Sequence, residues 1–372
     1  MATMLEYITQ TKDTLLNIID NSKEFTKPLV DYYLNNKCDG LYFVASGSSY
    51  NGCYCALDFA QHILHENILL KTPFNFIHHE KPYIGKQMII AVSQSGCSTN
   101  TLDVLKQLKH DGHSTVCLVG RDDCDAKEYA DLLVNWQVGE EKIGFVTKGV
   151  SSLACFVMVF ALELAKARNL IDDNKYQHAK QNFRLSQDIQ PEMLHNTIDL
   201  FNAHKQDFIS RDRVIFLSSG PNLATAKEAA LKISETSCIN SLVCEAEEFL
   251  HGPLYPCTPN DLIIIIDNND DPSSQRLLDI GLALKDDITP KVYAITNSDR
   301  FDDEHAFRTS KQTCLHLSPL YKLTCIQTLA YLMSEATNKY RPHDCVIKFK
   351  KANKVASKSR DKLYLNLQEG EH

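Results

Sequence analysis

Short apolar runs recur along the chain, each closed by small or polar residues and followed by a stretch with apolar positions three and four apart. In the first half the runs occupy residues 41–45, 88–92, 115–119 and 132–134, and helical patterns such as 56–70 and 101–109 lie between them. Strands alternating with helices predict a parallel sheet covered by helices on both faces. Ahead of the first run, residues 7–34 carry Leu15, Ile18, Ile19 and Leu29 at near-helical spacing and predict one or two lead-in helices. Residues 151–170 are apolar almost all round and predict a buried helix.

A polar run, Asp172-Asp173-Asn174-Lys175, and a helical region over 177–205 form the expected domain junction. A second cycle follows, with strands expected at 214–217, 262–266, 291–295 and 314–317 and helices at 224–237 and 321–339. Leu262-Ile263-Ile264-Ile265-Ile266 has the uninterrupted apolar character of a central parallel strand buried on both faces. Phe43-Val44-Ala45-Ser46-Gly47 and Phe216-Leu217-Ser218-Ser219-Gly220 are both an apolar strand ending in small residues, the sign of a duplicated strand–helix unit. The expected division is a helical lead-in over 1–35, a first domain over 36–175, a second over 195–345, and an extended, lysine-rich tail with at most a loose helix over 346–372.

Length and composition agree with two domains. The chain has 372 residues, 44% hydrophobic and 23% charged, the balance of an ordinary globular protein. A net charge of −8 with scattered lysines offers no broad basic face, so nucleic acid is not an expected partner. Thirteen cysteines form no CxxC pair, and the close pair Cys53 and Cys55 lacks zinc-site spacing, so free thiols and a cytoplasmic setting are expected, with no metal and no cofactor. The N-terminal residues lack the regions of a signal peptide, and the apolar stretch from Leu153 to Leu162 is interrupted by Glu163 and Lys166, so no membrane span is expected.

Ligands of an open parallel sheet bind beyond the carboxyl ends of its strands, where helix N-termini aim free N–H groups outward. Two loops fit: Ser46-Gly47-Ser48-Ser49-Tyr50-Asn51 and Ser93-Gln94-Ser95-Gly96-Cys97-Ser98-Thr99. Each joins a glycine, which lets backbone approach an anion, to several hydroxyl donors. One Ser-Gly pair would read as a helix cap. Two such loops on neighbouring strands read as an anion site, and without GxxxxGK[ST] or GxGxxG the anion is not a nucleotide's phosphate chain.

These loops resemble those of the SIS (sugar isomerase) domain family, whose mark is a strand ending in Ser-x-Ser-Gly. A closer likeness still is to the isomerase domain of glucosamine-6-phosphate synthases, matched here by Gly47-Ser48-Ser49-Tyr50, by Ser93-Gln94-Ser95-Gly96-Cys97-Ser98, by the helix Glu228-Ala229-Ala230-Leu231-Lys232-Ile233-Ser234-Glu235 and by Glu248-Phe249-Leu250-His251-Gly252-Pro253. The resemblance covers nearly the whole chain and implies two tandem flavodoxin-like α/β domains, paired as a homodimer. It implies that Ser48, Ser49, Ser93, Gln94, Ser95 and Ser98 hold a sugar's phosphate, that Glu235 moves the proton between C1 and C2, that Lys232 assists at the sugar oxygens, and that His251 opens the ring.

Two features depart from the synthase pattern. Its C-terminal Pro-Arg-Asn-Leu-Ala-Lys-Ser stands here as Asn353-Lys354-Val355-Ala356-Ser357-Lys358-Ser359, which makes Lys358 the counterpart of the lysine that enters the active site and Lys354 the reserve. No counterpart of the glutamine-hydrolysing domain is seen, so glutamine-dependent synthesis is not expected. The implied activity is that of stand-alone relatives, an isomerase/deaminase or fructosamine-6-phosphate deglycase acting on a 6-phosphorylated amino sugar. The alternatives are a non-catalytic phosphosugar sensor and an isomerase subunit of a glutamine–fructose-6-phosphate aminotransferase. Read without the family, Glu228, Lys232 and Glu235 at i, i+4 and i+7 are equally a solvated helix face with an ordinary surface ion pair.

Overall fold

Uninterrupted apolar runs need burial on both faces, and the computed structural model, which describes residues 3–80, 85–142, 144–338 and 343–352, gives it to them in two parallel sheets. The chain divides into two units, one built on Asp13–Tyr176 with residues 343–352, the other on Thr3–Lys12 with residues 177–338.

Helices α1 (Met4–Asp20) and α2 (Ser22–Asn35) come first. The elements of the first unit then follow: β1 (Leu41–Val44), α3 (Gly47–Leu64), β2 (Leu69–Lys71), the short α4 (Pro73–Asn75), β3 (Met88–Ser93), α5 (Thr99–His110), β4 (Val116–Val119), β5 (Leu132–Asn135) and α6 (Lys148–Ala167). Its strands lie in the order β2-β1-β3-β4-β5, all parallel, with Phe43 beside Ile90 and Val92 beside Leu118. Every residue of α6 from Lys148 to Ala165 is buried. The helix is long and apolar enough to cross a bilayer, yet 89% of its most apolar window is buried within the protein, against neighbours that include α2 and α3.

The long α7 (Asp173–Ala203) and α8 (Lys205–Ile209) precede the second sheet. Its elements are β6 (Val214–Ser218), α9 (Asn222–Ser237), β7 (Ser241–Glu245), α10 (Ala246–Leu250), β8 (Leu262–Ile266), α11 (Ser274–Asp287), β9 (Val292–Ile295), β10 (Ala306–Phe307) and α12 (Pro319–Thr337); α13 (Asp344–Ala352) follows. The order β10-β9-β8-β6-β7 repeats that of the first sheet strand for strand, with the unit's first strand beside its third. This is the flavodoxin-like arrangement. The all-aliphatic β8 is its middle strand and is wholly buried, each side chain contributing about 1.5–3 kcal/mol.

Two expectations need correction. The helix expected at 56–70 stops at Leu64, where His65 takes a left-handed conformation (φ 54°), and residues 69–71 form the edge strand β2. Residues 315–317 form a 3₁₀ turn, not a strand, because Pro319 opens α12 directly after it; the fifth strand of this sheet is Ala306–Phe307. At the start of the tail, residues Asp344–Ala352 form the helix α13.

Candidate active site

In the first unit β1 and β3 are neighbours whose following helices cover the sheet, so the crevice between their carboxyl ends is the topological switch point. Both serine-rich loops lie there. Asn100 Nδ2 donates to Ser46 Oγ at 2.8 Å and ties one loop to the other. Ser93 Oγ donates to Ser98 Oγ at 3.1 Å, lies 3.5 Å from Ser95 Oγ, and Ser95 Oγ in turn accepts from the Cys97 N–H at 3.2 Å. Ser93, Ser95 and Ser98 are thus brought into one hydroxyl cluster. Ser48 is buried and Ser49 half-buried on the first turn of α3. The capping explanation fails here: neither Ser46 nor Ser98, the residues at the starts of α3 and α5, caps its helix through its side chain.

Glycine is required at the centre of the second loop. Gly96 has φ +62°, and a Cβ there would lie 2.3 Å from Cys124 Sγ. Its carbonyl accepts from Ala126 N at 2.9 Å, which holds the loop against the segment after β4.

Gln94 has surroundings that its sequence neighbours do not reveal. Its Nε2 donates to Glu141 Oε2 at 2.6 Å. The same carboxylate accepts from the backbone N–H groups of Thr147 (2.9 Å), Lys148 (2.7 Å) and Gly149 (3.1 Å) at the start of α6. A Cβ on Gly149 would sit 2.0 Å from Gln94 Oε1, so only glycine lets the carboxamide lie against α6. Glu141 and Gly149 escaped the sequence reading because their only signal is an acidic residue a few positions before a buried helix.

In the second unit α9 carries a buried ion triad. Lys232 Nζ lies 3.4 Å from Glu228 Oε1 and 2.6 Å from Glu235 Oε2, with Glu228 fully buried, Lys232 nearly so, and the Glu235 side chain 39% exposed. The solvated-face reading of this stripe is therefore wrong. Burial works against the Lys232 charge, but the two carboxylates outweigh it and hold its pKa above the ordinary lysine value. Of the triad, Glu235 alone presents much surface to solvent. His251 ends α10, exposed, in the turn that leads to Gly252, and no hydrogen bond or ion pair joins it to Lys232 or Glu235. Lys354 and Lys358 lie outside the described residues.

The matching crevice of the second unit has different chemistry. Ser219 Oγ donates to Asp271 Oδ2 at 3.2 Å, and Asp271 Oδ1 accepts from Ser273 N and Oγ at 2.8 and 2.6 Å, so a carboxylate of the chain takes the donors an outside anion would need. Below it Lys322 is wholly buried; its Nζ donates to Asn268 Oδ1 at 2.7 Å and to the Asp267 carbonyl. Burial outweighs the attraction of Asp267, Asp270 and Asp271 and brings the Lys322 pKa down to about 7. Asp267 Oδ2 accepts from Thr296 Oγ1 at 2.7 Å. Among the described residues no group of three or more His, Cys, Asp or Glu is gathered to hold a metal ion.

Comparison with known proteins agrees with this architecture. Residues 207–302 match the family description "SIS domain". A glutamine–fructose-6-phosphate aminotransferase [isomerizing] of Xylella fastidiosa is 27% identical over 263 residues, which cover 68% of this chain and 42% of that protein. The chain thus spans about two fifths of the length of such curated relatives. Among solved structures, the C-terminal domain of glucosamine-fructose-6-phosphate aminotransferase from Francisella tularensis superposes with a TM-score of 0.78 at 19% identity, covering 90% of this chain and 96% of that one. Glucosamine-6-phosphate deaminase from Thermotoga maritima superposes with a TM-score of 0.69 at 19% identity, covering 92% and 98%.

Proposed function

We propose that this chain, a carrier of the SIS domain, is an aldose–ketose-type enzyme for a 6-phosphorylated amino sugar, working as an isomerase/deaminase or as a fructosamine-6-phosphate deglycase. The observation that carries the reading is the α9 triad: a carboxylate open to solvent at Glu235, held by an ammonium that is buried and kept charged by Glu228. A protein that only sensed a ligand would have no use for a proton-transfer group built at the cost of burying two charges.

In this reading the sugar's phosphate is held by Ser48, Ser49, Ser93, Ser95 and Ser98, with Gln94 in the same loop. His251 opens the ring. For a ketosamine, Glu235 takes a proton from C1, the C–H pair forms the C1–C2 double bond, and the C2 carbonyl pair moves to its oxygen, which takes a proton from water to give the enaminol. The carboxyl group then returns the proton to C2, which leaves an imine at C1. Water adds there, the C–N bond breaks, and the products are a free amine and an aldose 6-phosphate. For an aminoaldose the same transfer runs between C2 and C1. Lys232 is too deeply buried to reach far from its two carboxylates, and its part is to fix the Glu235 oxygen. A homodimer and the Lys358 tail belong to the same proposal, drawn from the family resemblance.

The test is turnover with a panel of fructosamine 6-phosphates and glucosamine 6-phosphate, reading amine release and exchange of C1 or C2 hydrogen with D2O. Glu235→Gln is expected to lower kcat by about 10²–10⁴ while leaving the Kd for the sugar phosphate unchanged. Binding without release or exchange in the wild-type chain would leave a sensor and overturn the enzyme reading.

A further inference from the structure

Glu141 holds four hydrogen bonds at once, one from Gln94 and three from the first N–H groups of α6. A carboxylate accepts and cannot donate, so the group facing it from Gln94 has to be the NH2. The opposite face of the carboxamide is pressed toward Gly149, where a methyl would come within 2.0 Å of Oε1. The Gln94 backbone is fixed as well, since Gly120 N donates to its carbonyl at 3.0 Å and a Cβ on Gly120 would lie 2.9 Å from Gln94 Cγ. With a carboxylate at 141 the amide can therefore neither turn over nor swing away.

We propose that Glu141 is a positioning residue for the phosphate loop: it fixes which face of the Gln94 carboxamide is offered to the anion, leaving the second Nε2 hydrogen as the donor. This rests on the reading that the serine loop takes a sugar phosphate. It also assigns the free end of α6. The positive pole of this 20-residue helix is spent on Glu141 and not on the ligand. The phosphate is then left to the hydroxyl cluster, to the starts of α3 and α5, and to one oriented amide. A glutamine at 141 would give its oxygen to the Thr147 and Lys148 N–H groups and turn its own NH2 toward Gln94 and the Gly149 N–H, which loses its acceptor; Gln94 must then flip and set a lone pair where a hydrogen stood.

The experiment is calorimetric titration of the full-length chain with fructose 6-phosphate and with inorganic phosphate. Glu141→Gln is expected to raise both Kd values by the same factor, about tenfold, with a small fall in Tm from the charge lost at the start of α6. Gln94→Ala, which leaves the Glu141 cap on α6 intact, is expected to cost as much, and the double variant no more than either single one. Equal affinities for wild type and Gln94→Ala, or additive losses in the double variant, overturn the assignment. The double variant decides: in the Gln94→Ala background, Glu141→Gln must still lower the Tm slightly yet cost no further affinity. Failure of the underlying reading looks different: the wild-type chain then binds neither probe, and Ser93→Ala changes nothing.

Discussion

Replacing Lys232 by methionine removes the ammonium and keeps most of the volume. Glu228 is then a carboxylate with no exposed side-chain surface that has lost the ammonium 3.4 Å away, whereas Glu235, 39% exposed, can be solvated by water. Breaking a buried pair from one side costs about 3–5 kcal/mol. Since 1 kcal/mol shifts Tm by about 2–4 °C in a unit of this size, the transition of the second unit should fall by roughly 6–20 °C. Differential scanning calorimetry separates the units if they melt apart. The variant should also respond to pH. Without Lys232 the folded chain gains by taking up a proton at Glu228 that the unfolded chain does not hold near neutrality, so stability must fall as pH rises and the deficit should be smaller at about pH 5 than at about pH 8. Adding Glu228→Gln should recover most of the loss, since both charges are then gone. A Tm drop below about 2 °C in Lys232→Met, or a double variant no better than the single one, would refute the claim that the triad is buried and charged.

Two further outcomes follow from the geometry. Lys322 is held at about pKa 7 when folded, against 10.5 for the free side chain, so the unfolded chain binds more protons between those values. Stability should therefore rise with pH from about 7 to about 10, by up to about 1.4 kcal/mol per unit from this group, and Lys322→Met should remove that part of the slope in denaturant titrations. Gly96→Ala meets both a positive φ and Cys124 Sγ at 2.3 Å, so the hydroxyl cluster must shift; the Kd for fructose 6-phosphate should rise at least about tenfold while the melting of the second unit stays in place.

Central strands were legible because burial on both faces leaves no freedom in the sequence: residues 262–266 were placed to the residue, and 88–92 to within one. The edges were not. Leu69–Lys71 and Ser241–Glu245 are half-exposed, so their side chains carry no alternation strong enough to separate strand from helix, and Ala306–Phe307 is too short to carry any pattern. At the site, hydroxyls crowded into one loop could be read in order. A pair spaced i, i+4 looks the same in water or in a core, so the burial of Glu228 and Lys232 could not be read. Glu141 could not be found either, because the group it serves lies 47 residues away in sequence.

Helix α6 bears on how the first unit comes to exist on the ribosome. With every residue from Lys148 to Ala165 buried, it has no face that water can support, and left alone it would aggregate. Yet α2, α3 and all five strands of its sheet are encoded ahead of it. At about 5–20 residues per second, its partners are made seconds before it emerges. The order of synthesis, as much as the final packing, keeps an apolar helix of this length from solvent.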